Sequence, residues 1–187
     1  MKKTVFRVLA VFEIFCILFS VNAFALKEEI VKEGNREYIN VTLESGDVVE
    51  IGEYSSLDES DDDSKLNVGS VTINATGDEP VVIGNFAFEA RFDQVESLTI
   101  NGNGKVVIGT GAFLNTRIKE LYLPQNVVFE DDTVAVFEDC WYLKSVEIGC
   151  DLCPYAFINC SIENVTFTED NDIKEIPKEA FLLGYFE

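Results

Sequence analysis

From Ile83 the chain reads IGNFAFEARFDQVESLTI, and from Ile108 it reads IGTGAFLNTRIKELYLP. The likeness is anchored by a pair, a small residue followed by Phe. It occurs at Ala87-Phe88, Ala112-Phe113, Val136-Phe137, Ala156-Phe157 and Ala180-Phe181, with spacings of 25, 24, 20 and 24 residues. Between the pairs lies an apolar-x-apolar triplet: Val71-Thr-Ile73, Leu98-Thr-Ile100, Leu121-Tyr-Leu123, Val146-Glu-Ile148 and Val165-Thr-Phe167. A third element, apolar-apolar-Gly, appears at Val82-Ile83-Gly84 and Val107-Ile108-Gly109. Three interleaved elements sharing one period leave a stacked-coil solenoid as the fold class.

The triplets alternate with period 2, so each predicts a short strand whose first and third residues are buried. One strand per coil makes a parallel sheet, with coils about 4.8 Å apart. The Phe of each pair is expected on the opposite, convex wall, where it fills the middle of the coil, and its small neighbour lets backbones approach. No coil buries both its faces alone, so stability comes from the neighbours. The outward positions of the strand wall then run Ser70, Thr72, Asn74; Ser97, Thr99, Asn101; Glu120, Tyr122, Pro124; Ser145, Glu147, Gly149; and Asn164, Thr166, Thr168. This face is small, polar and modestly acidic, with Tyr122 as its aromatic residue.

Read from Phe137, the chain runs Phe137-x-x-Cys140-x-x-Leu143-x-x-Val146-x-Ile148; read from Ala112, it runs Ala112-Phe113, Ile118, Leu121, Leu123-Pro124, Val127, Phe129. From residue 68 onward the sequence resembles the BspA-like (treponemal-type) leucine-rich repeat. The resemblance implies an α/β-type repeat solenoid: a right-handed leucine-rich-repeat coil with a parallel β-sheet on its concave wall and a mostly irregular or short helical convex wall. It also implies surface exposure and adhesion to host or partner proteins, such as extracellular-matrix components. The cysteine slot of the repeat holds Arg91, Thr116 and Gly184 in three copies, and the coil carrying Cys150 is about four residues short.

The N-terminus carries Lys2, Lys3 and Arg7, then an apolar run over 8–21 and VNAFA, with Ala23 and Ala25 at the positions of an A-x-A cleavage site. That order predicts a signal peptide over 1–25, with an uncleaved anchor over 4–26 as the rival reading. The expected domains are therefore 1–25, a hairpin with a degenerate capping coil and acidic loop over 26–67, and the repeats over 68–187. Cleavage would change the net charge from −20 to −22. So acidic a protein repels nucleic acid and anionic lipid, and with the signal removed no membrane span is expected.

Four cysteines remain after cleavage, and the chain has no histidine. Cys140 and Cys160 fill the same slot in successive coils, as core thiols or as a disulfide. Cys150 and Cys153 form a lone C-x-x-C, either a local disulfide or two free thiols, without the second pair that zinc needs. The acidic stretch 58–64, DESDDDS, lacks the Gly and late Glu of a calcium loop and reads as a solvated insertion. No cofactor or metal is expected. Without histidine the usual base of Ser and Cys triads is missing, and the exposed pair Glu120 and Glu147 has no closed pocket to raise a pKa, so no enzyme is expected.

Function is therefore expected in binding, through Glu120, Tyr122 and Glu147 on the strand wall and through Trp141 and Tyr142 at the coil edge, since aromatic residues are enriched in binding hot spots. The expected setting is secreted or cell-surface, with a protein partner. At the C-terminal end, Leu182, Leu183, Tyr185 and Phe186 either cap the last coil or leave it open to self-association. That second course makes a secreted or periplasmic structural protein the runner-up.

Overall fold

Alternating side chains make one strand in every coil, and among the described residues four coils form a second. The computed structural model describes residues 26–33, 36–50, 67–90, 94–169 and 173–182. The signal-peptide stretch, the acidic stretch and residues 183–187 lie outside them. The strands are β1 (Lys27–Glu33), β2 (Arg36–Glu44), β3 (Val48–Val49), β4 (Asn67–Ala75), β5 (Val81–Ile83), β6 (Ser97–Gly102), β7 (Val106–Ile108), β8 (Glu120–Leu123), β9 (Val127–Val128), β10 (Ser145–Ile148) and β11 (Asn164–Phe167).

The triplets build the first wall. Its parallel ladder runs β2-β4-β6 and then β8-β10-β11, with β1 added antiparallel outside β2. Like stacks on like: Thr42, Thr72 and Thr99 are in register, as are Leu43, Ile73 and Ile100. β1 and β2 pair from Glu33↔Arg36 to Lys27↔Thr42, as the expected hairpin requires. β2 itself is a coil strand, so the N-terminal segment is both hairpin and first coil.

The apolar-apolar-Gly element forms a second parallel sheet, ordered β3-β5-β7-β9. This corrects the expectation of one strand per coil. The backbone on that wall is buried and must satisfy its own hydrogen bonds, and it does so coil to coil. The Gly84 N–H reaches the Val49 carbonyl and the Gly109 N–H reaches the Ile83 carbonyl, each at 2.9 Å.

The Phe residues stack between the walls. Phe88, Phe113, Phe137, Phe157 and Phe181 form one column, with ring centroids 5.3, 5.6, 5.5 and 5.2 Å apart and near-parallel planes. The first four are buried, each backed by a buried Ala or Val. Burying one such ring is worth about 1.5–3 kcal/mol, and stacking adds about 0.5–1.5 kcal/mol.

No helix occurs among the described residues, which leaves the irregular alternative of the expected irregular or short helical wall. The backbone bonds around the Phe column run between coils: Phe88 N–H to Ala112, Phe113 N–H to Val136, Phe137 N–H to Ala156 and Phe157 N–H to Ala180, at 2.8–3.0 Å. A helix would need those donors along its own axis. The coils of Phe113, Phe137 and Phe157 instead bend through left-handed residues on both sides of the Phe, and the coil of Phe88 through one before it. Phe86, Gly111, Ala135 and Tyr155 stand two residues before it, and Asn115, Asp139 and Asn159 two residues after, all with φ between +56° and +60°. Asn and Asp tolerate that region. Gly111 is needed twice over, because the Phe86 ring packs where its side chain would be.

Two details of the strand wall also differ from expectation. Pro124 and Gly149, expected outward, are buried, and each lies just past the end of its strand. In β11 the triplet residues Val165 and Phe167 are 42% and 45% exposed, since β11 is the last strand of its ladder and nothing described covers it.

Candidate functional site

On the outward side of the strand wall, two halves differ in how their polar groups are satisfied. In the first half Asn40, Ser70, Asn74, Asn101 and Glu44 bond to one another. Ser70 Oγ donates to Asn40 Oδ1 at 2.7 Å, Asn101 Nδ2 to Asn74 Oδ1 at 3.0 Å, and Asn74 Nδ2 to Glu44 Oε1 at 3.3 Å. Lys27 Nζ also donates to Glu44 at 2.7 Å and holds that carboxyl below its ordinary value.

The second half is open. Glu120, Tyr122 and Glu147 are all exposed, and their side chains make no hydrogen bond or ion pair among the described residues. Register sets Glu147 directly opposite Tyr122 and Glu120 opposite Ser145, so the two carboxylates lie diagonally and Tyr122 has one beside it. The strand period delivers this arrangement: Leu121, Leu123, Val146 and Ile148 point into the core, so their alternates must point out.

Trp141 and Tyr142 stand apart from that trio, at the corner ahead of β10. Two residues separate Cys140 from the core residue Leu143, where one separates Thr116 from Ile118 and Cys160 from Ile162. The extra residue pushes both aromatics outward, to 43% and 46% exposure. With Asn115 and Thr116 they line a hollow of about 280 Å³. Arg117, which was not foreseen as a site residue, places its guanidinium 4.7 Å from the centre of the Tyr142 ring. It occupies the position of Trp141 one coil earlier, counting from the Phe, and that alignment was the available signal.

The thiols are sequestered. All four cysteines are free and buried. Cys140 Sγ donates to the Phe113 carbonyl at 3.3 Å and Cys160 Sγ to the Phe137 carbonyl at 3.0 Å, so each ties its coil to the one before. Thr116, in the same slot, lies 3.2 Å from Cys140 Sγ. Burial pushes Cys150 up to about 12 and Cys153 up to about 11. The hydrogen bond with Cys140, then burial, raises Cys160 as well. Thiols held protonated in this way are poor nucleophiles. Among the described residues, no group of three or more acidic or cysteine side chains could hold a metal ion, and no helix is long and apolar enough to cross a membrane.

Residues 64–183 match the family model described as the BspA type leucine rich repeat region, in six copies. Comparisons with curated proteins and with solved structures give no match.

Proposed function

Since the chain belongs to the BspA-type leucine-rich repeat family, whose repeats generally serve protein–protein interaction, we propose that it is an exported, non-catalytic binding module acting at the cell surface as an adhesin. Its partner is a protein, such as an extracellular-matrix component. The observation that carries this reading is the contrast along one face. Where Ser70, Asn74 and Asn101 in the first half are bonded to neighbours on the same wall, Glu120, Tyr122 and Glu147 are left for a partner. An aromatic ring flanked by carboxylates suits a hot spot with a polar rim. Trp141 and Tyr142 extend the contact surface at the coil corner.

The test is binding of labelled matrix proteins to the chain and to a Tyr122→Ala/Glu147→Ala variant, after protease shaving of intact cells shows whether the protein is exposed. Weaker binding by a folded variant supports the reading. Equal binding moves the site elsewhere, and a protein protected from protease removes adhesion.

The exposure of Val165 and Phe167 on β11 favours a second reading, in which copies of the chain associate edge to edge and serve a structural role. In sedimentation velocity this reading requires an oligomer that Phe167→Lys dissolves. A monomer at all concentrations excludes it.

A further inference from the structure

The second sheet stops one coil before it should. β9 pairs with β7 on one side and with no described strand on the other. The next coil is the 20-residue one, and it passes through Cys150, Asp151, Leu152 and Cys153 without forming a strand. Between β5 and β7 the sheet is closed by the Gly109 N–H on the Ile83 carbonyl; among the described residues no backbone bond of that kind joins β9 to 150–153. A groove of about 480 Å³ fills the place of the missing strand, with Val127, Val128 and Phe129 along one side.

Its rim is acidic. Glu130, Asp131 and Asp151 line it and all three are exposed. Lys174 is its one lining cation, and the backbone N–H of Lys174 is already bonded to Asp151 Oδ1 at 2.9 Å. We infer that this groove takes an extended, basic segment of a partner protein, which adds to the second sheet as the strand that the short coil lacks. The Val127 N–H is already taken by the Pro124 carbonyl at 3.1 Å, so the carbonyl edge of β9 would receive the N–H groups of the incoming strand, as in other strand additions. Val128, 36% exposed, meets the apolar side of the incoming strand. The carboxylates meet its Lys or Arg side chains and reject acidic segments, a second copy of the net −20 chain included. The surface is separate from Tyr122 and Glu147, which lie on the other sheet.

The test uses a synthetic peptide of about eight residues alternating lysine and valine, a length typical of a strand. Isothermal titration against the purified chain should give saturable binding. A peptide with glutamate in place of lysine should lose it. N-methylation of alternate backbone nitrogens, which keeps the charge but removes strand hydrogen bonds, should weaken binding about tenfold or more. So should Glu130→Lys/Asp131→Lys, with folding checked by circular dichroism, while Tyr122→Ala/Glu147→Ala should leave binding unchanged. Equal binding of the N-methylated peptide would reduce the groove to a charged surface and overturn strand addition. Absent binding, or binding indifferent to the Glu130 and Asp131 changes, would overturn the site itself.

Discussion

The side chain of Asn85 accepts, through Oδ1, the backbone N–H of Thr110 at 2.9 Å, one coil further on. The relationship repeats: Thr110 Oγ1 accepts the N–H of Val134 at 3.2 Å. Val134 has no acceptor to offer the next coil, and the residue there is Pro154, which has no N–H to satisfy. The column Asn85, Thr110, Val134, Pro154 is thus closed at its end by the one residue type that makes no demand.

That closure can be tested by moving it one coil back. Thr110→Val leaves the Val134 N–H without its acceptor and should cost about 1 kcal/mol, within the range for an orphaned, part-buried donor. Val134→Pro removes the donor, on a backbone that already accepts Pro at the matching position 154. The double variant should recover most of the Thr110→Val loss in urea unfolding. Strictly additive losses would show that the side-chain bond carries no weight.

The Phe column predicts a gradient of cost. Phe137 is buried, with Phe113 at 5.6 Å on one side and Phe157 at 5.5 Å on the other, so Phe137→Ala should destabilise by about 3–5 kcal/mol. Phe181 is partly buried and stacks on Phe157 at 5.2 Å, with no further ring described beyond it. Phe181→Ala should shift the urea midpoint distinctly less. Equal shifts would mean that the stack unfolds as one unit from either end.

Thiol chemistry should report folding. With Cys153 raised to about 11 and Cys150 to about 12, alkylation by iodoacetamide at pH 8 should be slower than for an exposed thiol by about two orders of magnitude. It should speed up only on unfolding. Because the folded values lie above the unfolded thiol value, the folded state keeps its full stability below about pH 8.5 and loses it as pH rises towards 11–12. Melting temperatures from pH 7 to pH 11 measure this directly, and a flat profile would contradict the burial of the pair.

The first sheet was legible because period-2 patterning in Leu121-Tyr-Leu123 or Val146-Glu-Ile148 marks both the strand and its buried face. Glu120, Tyr122 and Glu147 followed from the same alternation. The second sheet was harder to see. Its strands β3 and β9 are two residues long and only β5 and β7 carry the glycine-ended motif, so adjacent valines gave no alternation to read. The left-handed turns were half legible: Asn115, Asp139 and Asn159 are residue types that accept positive φ, but Phe86, Ala135 and Tyr155 are not. Their conformation is imposed by neighbouring coils. Burial of Val165 and Phe167 failed as an expectation for a related reason, since an apolar residue is covered only if another coil supplies the cover.

The 20-residue coil separates two kinds of tolerance in this molecule. Across it the Phe137 and Phe157 rings keep the 5.5 Å spacing of the full-length coils, while the second sheet stops. A deletion of about four residues has thus been absorbed on one wall alone. Insertions and deletions over evolution should accordingly accumulate in the segments that cross the second sheet, and the distance from each Phe to the next triplet should stay nearly constant.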